Sequence, residues 1–277
     1  MSIKIKLFAV ACIAALSMSA VAGCSCGDDS VDAIKAGASS DYENTLQSDE
    51  FQYDVYDSFI AIDEYIGSGA VCEIPEEIDG KPVTQINSNA FYNTDETLER
   101  VVIPSTVTEI QTNAFGANKL QQIEIDEENS NFVIDNGVLM NVEKTQLLAF
   151  PGESEIEEVE ISEGVEVIPS GVFSNCPNLK RVEIPSTVKQ IETFAFMGSG
   201  LTDVKLPEGV EELGMGAFWG CVNLETLELP QSLKTISSPE TVCQGCTSLK
   251  TVKGYDSTDA GKIIDADGLQ AEYVSLG

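Results

Sequence analysis

The 277-residue chain carries 46 acidic and 15 basic residues and no histidine, so its formal net charge is −31 at pH 7. This acidity argues against nucleic acid as a partner, because phosphate backbones are bound by basic surfaces, and against docking on anionic lipid headgroups. It favours basic partners or cations, although a solvated acidic coat is the simpler interpretation. The lack of histidine removes the commonest general base and the commonest transition-metal ligand.

The first stretch of the chain, residues 1–23, has the layout of a lipoprotein signal peptide. Lys4 and Lys6 form its basic start, and residues 7–20 form an apolar run that is too short to span a membrane comfortably. We therefore expect this segment to be removed and the protein to leave the cytoplasm.

The end of the signal segment, V-A-G-C, resembles a bacterial lipobox with Cys24 as the lipidated residue. The resemblance implies that Cys24 becomes the mature N-terminus and anchors the protein to the cell membrane. The alternative is secretion after cleavage at the A-V-A site that precedes Gly23. With the lipid anchor, the protein is expected to be exposed at the cell surface and to touch the membrane only through that lipid.

Two segments precede the main part of the chain. Residues 24–50 are polar and acidic with few apolar residues, which predicts a flexible tether. Residues 51–75 alternate apolar and polar residues over short runs, which predicts strands joined by turns. We interpret 51–75 as an N-terminal cap, because the first coil of a repeat array would otherwise expose its core.

Residues 76–254 repeat one pattern, most clearly in LKRVEIPSTVKQIETFAF from Leu179 and LTDVKLPEGVEELGMGAF from Leu201. Each unit opens with a predicted strand, L-x-x-(V/I/L)-x-(I/L), which proline often ends. A second short apolar pair and an Ala-Phe turn complete the unit. This period predicts a solenoid of about seven to eight coils. The units begin at Leu98, Leu120, Ile156, Leu179, Leu201, Leu224 and Leu249.

The third unit carries an insertion near residues 129–150. Asn136-Gly137 lies between two apolar runs there, which is a strong hairpin signal. The hairpin is either a protruding recognition ridge or an element that widens one coil and packs on its neighbour. We favour the second interpretation, because solenoids tolerate insertions as loops. The tail, residues 255–277, leaves the repeat and predicts a second hairpin as the C-terminal cap or a link to a partner.

The consensus L-x-x-(V/I)-x-I-P-x-x-V-x-x-I-x-x-x-A-F-x-x-C-x-x-L resembles the BspA-like leucine-rich repeat family over about residues 70–254. Asp126 and Ser162 replace the proline in two units, and Cys243 replaces the phenylalanine in the last. The resemblance implies a leucine-rich repeat solenoid of stacked parallel strands joined by short turns and helical turns, with β-hairpin caps. It also implies a non-enzymatic role in adhesion or in recognition of host or neighbouring-cell proteins.

The cysteines are candidates for redox chemistry, a disulfide bond or zinc binding. Cys176, Cys221 and Cys246 share one repeat position, which predicts a small buried residue that closes each coil. Cys243-x-x-Cys246 has thioredoxin-like spacing, but both cysteines fall on repeat positions, which disfavours a redox role. Whether the two form a structural disulfide outside the cell stays open. Zinc is disfavoured in a chain without histidine or a second C-x-x-C motif.

We expect neither catalysis nor a cofactor. The stretch Asp265-x-Asp267-Gly268 lacks the remaining ligands of a calcium loop and is interpreted as a turn. The sequence contains no G-x-S-x-G, phosphate-binding or dinucleotide-binding motif. A glycosidase-like carboxylate pair is a weak alternative, which the positions of the carboxylates in space would have to support.

The outward face of the strands is the candidate binding surface, because side chains alternate between the two faces of a strand. We expect Glu124, Glu160 and Glu183 to form a like-charge row on this face, which a cation or a basic partner would relieve. Arg181 is expected to offset acids on both of its sides. A solvated sheet face fits the pattern equally well. The candidate ligand-binding residues are Glu124, Glu158, Glu160, Arg181, Glu183, Asp203 and Lys205.

The leading functional hypothesis is a non-enzymatic, lipid-anchored cell-surface module for adhesion or protein recognition. Its partner would be an extracellular or envelope protein, with a basic one favoured. The alternatives are a structural surface scaffold and a glycan-binding or hydrolytic accessory protein. The outward strand positions contain no aromatic residue on which a sugar could stack, which disfavours the glycan alternative.

Overall fold

The computed structural model describes residues 42–92, 97–116, 119–257, 259–265 and 269–277. These residues form a β-solenoid of about nine turns with mostly parallel strands and little helix. The predicted leucine-rich repeat solenoid is confirmed. The signal segment 1–23, Cys24 and the first part of the expected tether lie outside the described residues.

An antiparallel sheet precedes the repeats. Its strands are β1 (Tyr42–Gln47), β2 (Phe51–Tyr56) and β3 (Ile60–Tyr65), numbered in chain order like all others. The tether expected for 24–50 is therefore wrong at its end, because 42–47 is a strand. Residues 44–47 are exposed, so this part of β1 has no buried face that a hydrophobic pattern could reveal. Backbone pairing with β2 holds it in place.

Each coil contributes one strand to a first ladder of parallel strands. Residues 71–73 already belong to it, so the array begins inside the segment interpreted as the cap and has more coils than expected. The described members of this ladder are β4 (Val71–Glu73), β7 (Arg100–Ile103), β9 (Gln122–Ile125), β13 (Glu158–Glu160), β15 (Arg181–Glu183), β17 (Asp203–Lys205), β19 (Thr226–Glu228), β21 (Thr251–Gly254) and β22 (Glu272–Ser275). They form three sheets, β4-β7-β9, β13-β15 and β17-β19-β21-β22.

The second apolar pair of most coils forms a second ladder. Its members are β6 (Lys81–Ile86), β8 (Glu109–Ile110), β14 (Val167–Ile168), β16 (Gln190–Ile191), β18 (Glu212–Leu213) and β20 (Thr235–Ile236). β3 and β8 both pair with β6, and β5 (Glu77–Ile78) forms a short antiparallel pair with it. β14, β16, β18 and β20 make a separate parallel sheet, so this ladder is interrupted between β8 and β14.

The Ala-Phe turns form a third column of contacts. The Phe196 N–H donates to the Ala217 carbonyl of the next coil at 2.9 Å, and Phe173 N–H donates to Ala195 in the same way at 2.9 Å. Behind this backbone column the rings of Phe173, Phe196 and Phe218 stack, with centroids 5.3 and 5.4 Å apart and interplanar angles of 3° and 5°. Each coil therefore needs its neighbour both to satisfy its backbone and to bury its phenylalanine.

The insertion forms an antiparallel sheet of β10 (Phe132–Asp135), β11 (Val138–Asn141) and β12 (Leu147–Ala149), here called the meander. Asn136 and Gly137 connect β10 to β11 with φ values of 48° and 83°. Positive φ at both positions is what a two-residue hairpin turn of type I′ requires. The predicted hairpin is confirmed.

The meander packs inside the solenoid rather than projecting from it. Val138, Leu139 and Met140 are at most 1% exposed. Leu139 belongs to the hydrophobic cluster of the N-terminal coils, whereas Val138 and Met140 belong to the cluster of the C-terminal coils. The meander therefore joins two cores, which supports the interpretation as a packing element over that as a protruding ridge.

The C-terminal end differs from the predicted hairpin. A 3-10 helix over Asp259–Asp265 buries Ala260 and Ile263, and β22 then pairs in parallel with β21. The hairpin prediction for this segment is wrong, because the open edge of β21 accepts another parallel strand. A short helix, α1 (Pro239–Val242), replaces the Ala-Phe turn of the last unit. Residues 266–268, which include the acidic turn expected there, lie outside the described residues.

We expect Met140→Ala to lower the free energy of unfolding by about 2–5 kcal/mol, because truncating a buried side chain loses apolar contacts and leaves a cavity. Val142→Ala is the matched control one residue beyond β11, where the side chain is 50% exposed, and it should change stability by less than about 0.5 kcal/mol. Urea denaturation of both variants gives the comparison. Equal, small effects would mean that the meander does not support the core.

Candidate interaction surfaces

The first ladder brings four of the seven predicted site residues together. Glu158 lies opposite Arg181, and Glu160 lies opposite Glu183, in the parallel pair β13-β15. All four side chains are exposed, as the alternation of strand side chains predicted. Arg181 Nε lies 3.9 Å from Glu158 Oε1, an exposed ion pair of small energetic value.

Glu160 and Glu183 form a like-charged pair on this face. In the described part of the chain neither forms an ion pair, and they occupy directly opposite positions. Like charges that face each other across neighbouring strands are unfavourable. The Asn136 side chain of the meander donates to the Glu160 carbonyl oxygen at 2.9 Å, so the hairpin turn borders this acidic pair. The pair is therefore the most suitable place on the strand face for an incoming cation.

Glu124 does not continue this acidic row, contrary to expectation. It belongs to β9, which pairs with β7 and is the end strand of its sheet. Its carboxylate accepts two hydrogen bonds from Arg100 Nη1, at 2.9 and 3.0 Å. The meander follows β9 in the chain and separates its sheet from that of β13. Glu124 is thus neutralised by Arg100 and does not stack on Glu160.

Asp203 and Lys205 lie on β17, in the sheet that follows β15. Lys205 Nζ lies 2.6 Å from Glu228 Oε1, and Lys253 Nζ lies 3.7 Å from Glu228 Oε2. The hydrogen bond from Lys205 lowers the pKa of Glu228 and raises that of Lys205. The charges at this end of the strand face are therefore paired. The sequence did not reveal that Lys205 pairs with Glu228.

An aromatic patch lies on the turn column, away from the strand face. Trp219, the single tryptophan of the chain, is 36% exposed, as is Met215. The rings of Trp219 and Phe194 meet edge to face with centroids 6.1 Å apart. Phe194 has a φ of 57°, where a bulky side chain costs about 1–2 kcal/mol. A Cβ on Gly216 would come within 2.4 Å of the Phe194 ring, so glycine there makes room for this ring.

The strained backbone of Phe194 distinguishes it from the matching turn residues in other coils. In the other coils that keep an Ala-Phe or Val-Phe turn, that position is asparagine or glycine, and all adopt positive φ: Asn89, Asn113, Gly171 and Gly216. Asparagine and glycine tolerate this conformation with little or no strain. A phenylalanine there is an outlier, and such outliers are often retained for what the side chain presents. Sequence reasoning missed this patch because it considered the strands alone.

A cleft of about 550 Å³ opens where the second ladder is interrupted. It is bordered by the turn after β8, by β12 of the meander and by the segment around β14. Its ionisable lining residues are Glu166 and Glu192. Its volume falls within the range of small-ligand pockets, about 300–1,000 Å³.

The cysteines occupy structural positions. Cys72, Cys176, Cys221, Cys243 and Cys246 are buried free thiols. Cys221 Sγ donates to the Phe196 carbonyl oxygen at 3.1 Å, and Cys246 Sγ donates to that of Phe218 at 3.0 Å. Burial raises the pKa of the Cys176 thiol far above its ordinary value. Such protonated, inaccessible thiols close the coils and are unsuited to redox chemistry.

The described residues contain neither a metal-ligand cluster nor a membrane-spanning helix. Among them, no group of three histidine, cysteine or acidic side chains is placed to hold a metal ion. Within the same ranges, no helix has the length and apolar character needed to cross a bilayer.

The parallel ladders, the repeated apolar positions and the stacked turns define a leucine-rich repeat protein. The model of the BspA type leucine-rich repeat region matches six copies, over residues 71–153 and 143–260. These matches cover more than half of the chain, which belongs to the BspA-type leucine-rich repeat family. Leucine-rich repeat proteins are generally non-enzymatic binding modules, so membership supports a protein-interaction role.

Solved structures show the same fold. A leucine-rich repeat protein from Eubacterium ventriosum is 26% identical with a TM-score of 0.57, over 74% of this chain and 55% of that one. This chain thus spans just over half the length of that relative. The pneumococcal vaccine antigen PcpA is 18% identical with a TM-score of 0.53, over 84% and 88% of the two chains, a likeness of fold alone. No curated protein matches the sequence.

We expect Lys205→Met to raise the pKa of Glu228 towards its ordinary value, because the main hydrogen bond to the carboxylate is lost. In the wild type, ionised Glu228 stabilises the fold above its unfolded-state pKa. That contribution disappears as the pH falls through the lower folded-state pKa. The stability difference between wild type and Lys205→Met should therefore shrink on acidification.

Carboxyl NMR titration of Glu228 and urea denaturation across acidic pH test this expectation. Lys262→Met is the control, because Lys262 pairs with Asp259 at 2.9 Å and not with Glu228. An unchanged Glu228 titration in Lys205→Met would contradict the ion pair.

Proposed function

We propose that this protein is a non-enzymatic, lipid-anchored module of the cell surface that binds an extracellular or envelope protein through the strand face of β13 and β15. The observation that carries the proposal is the unneutralised, in-register pair Glu160 and Glu183. Membership of the BspA-type family supports the interaction role, and solenoids commonly bind partners through extended surfaces.

The electrostatics favour a basic partner. An isolated exposed carboxylate destabilises the fold little, but two carboxylates opposite each other on neighbouring strands repel. A Lys or Arg side chain of a partner placed between Glu160 and Glu183 would remove this repulsion and form hydrogen bonds to both carboxylates. Glu158, Arg181 and Asp203 would form the polar border of the contact. Glu124 and Lys205 are excluded from the centre of this contact, because Arg100 and Glu228 already pair with them.

A binding array of extracellular-matrix proteins, cell-wall polymers and glycans, run with the purified protein at two salt concentrations, tests the proposal. We expect saturable binding to a basic protein that weakens with salt, because exposed charges are screened. Glu160→Gln/Glu183→Gln should weaken it by about tenfold or more. The matched control, Glu163→Gln/Glu212→Gln, removes the same charge from exposed positions outside this face. Equal losses in both double variants would reject the strand face as the site.

Glycan binding is the second candidate, and the Trp219 and Phe194 patch favours it. The flat C–H faces of sugar rings pack on aromatic rings, and Trp219 is exposed beside the strained Phe194. The glycans of the same array decide between the two candidates. Trp219→Ala should abolish glycan binding and spare protein binding, whereas the Glu160 and Glu183 variant should do the reverse. Because Trp219 is the single tryptophan, its fluorescence reports directly on this patch.

The lipid anchor is a separate part of the proposal and rests on the lipobox that ends at Cys24. We expect Cys24→Ser to move the protein from the membrane fraction to the soluble fraction, because the lipidated thiol is absent. Metabolic labelling with a fatty acid should mark the wild type and not the variant. Cys26→Ser is the control and should keep the label. A wild-type protein that is exported without label would indicate plain secretion.

A further inference from the structure

The cleft beside the meander marks a place where the second ladder lacks one strand. β8 and β14 are each an end strand of their sheets. The third coil sends its chain into the meander instead of supplying a strand between them. Buried β12 borders the cleft from the interior, and Val167 of β14 is 37% exposed at its edge. The cleft is therefore a gap in a parallel ladder and not a chance surface depression.

Two backbone donors border this gap. In each of the three coils that follow, two neighbouring N–H groups at the start of the second strand donate to one carbonyl oxygen of the preceding coil, at 2.7–3.2 Å. Lys189 and Gln190 donate to Glu166, Glu211 and Glu212 donate to Lys189, and Lys234 and Thr235 donate to Glu211. The corresponding groups belong to Glu166 and Val167, which line the cleft. Within the described residues these two N–H groups have no backbone acceptor.

Pro169 limits what can pair with this edge. The matching residues of the next coils, Glu192 and Gly214, donate their N–H groups to the preceding coil, at 2.9 Å to Ile168 and 2.7 Å to Ile191. Proline has no N–H, so this third donor is absent at β14. Edge prolines restrain open-ended strand addition. The cleft thus presents one two-donor site rather than a long free edge.

The acidic residues that line the cleft favour a positively charged ligand. Glu166 is exposed, and Glu192 Oε2 is held by the backbone N–H and the hydroxyl of Ser170 at 2.8 and 3.0 Å. No lysine or arginine is among the described lining residues. Two carboxylates without a cation favour a positively charged group, while the two N–H donors require an acceptor oxygen beside it. A peptide with a basic side chain supplies both.

We propose that this cleft binds a short extended peptide of a partner protein by β-strand addition. One carbonyl oxygen of the peptide accepts the N–H groups of Glu166 and Val167, and a neighbouring Lys or Arg side chain lies against Glu166 and Glu192. Main-chain bonds of this kind provide affinity, and the side-chain contacts provide specificity. This proposal rests on the proposed interaction role but uses a surface distinct from Glu160 and Glu183. The strand-face proposal and the cleft proposal can therefore be refuted independently.

The test titrates the ¹⁵N-labelled full-length protein with the capped peptide acetyl-Val-Lys-Val-Lys-Val-amide, and with its Glu counterpart. We expect saturable amide shifts led by Glu166 and Val167 with the Lys peptide and none with the Glu peptide. Glu166→Gln should weaken binding about fivefold, the upper end of what one solvent-exposed ion pair contributes. Val167→Pro should weaken it similarly, because it removes a donor that no bond within the ladder uses.

Glu212→Gln is the matched control, since Glu212 is exposed on β18 of the same sheet and outside the cleft. It should leave the affinity unchanged, and thermal unfolding checks that every variant is folded. Three results would overturn the proposal: equal binding of the two peptides, equal losses in Glu166→Gln and Glu212→Gln, or shifts spread over the acidic surface without Glu166 and Val167 leading. The wild-type titration and the Glu166→Gln variant decide between these outcomes even if Val167→Pro does not fold.

Discussion

Every coil of this protein depends on its neighbours for both backbone pairing and burial. The turn N–H of Phe196 is satisfied by Ala217 of the next coil, and the ring of Phe196 is buried between those of Phe173 and Phe218. A single coil could form neither contact, so the array is stable only as a stack. The ends of the stack therefore need special elements. The antiparallel strands β1–β3 cover one end, and the 3-10 helix with β22 covers the other.

The meander interrupts this regular stacking, and both the acidic pair and the cleft lie beside it. It connects the two hydrophobic clusters through alternate residues such as Leu139 and Met140, so the stack continues through the insertion. At the same time it separates β9 from β13 on the strand face and leaves β14 as an end strand. One insertion thus creates both the border of the acidic pair and the cleft.

The acidic surface is not uniform in character. Many carboxylates pair with a lysine or arginine of an adjacent coil, as Glu228 does with Lys205 and Glu124 with Arg100. Such exposed pairs contribute little stability but neutralise charge locally. In the described part of the chain, Glu160, Glu183 and Glu166 form no such ion pair. Three distinct surfaces follow: an acidic strand face, an acidic cleft with free backbone donors, and an aromatic patch.

The repeated apolar spacing was sufficient to predict the coils, the buried cysteines and the Asn136-Gly137 hairpin, because each follows from local alternation or turn geometry. Three features could not be predicted. β1 and β22 pair with their neighbouring strands through backbone groups, so no side-chain pattern could identify their pairing partners. The side chain that lies beside Glu124 could not be predicted either, because it depends on where the insertion runs between β9 and β13. The positive φ of Phe194 arises from its place in the turn column, where Gly216 leaves room for the ring. Local sequence reports which side of a strand is buried, whereas the pairing of strands from distant coils depends on how the whole stack closes.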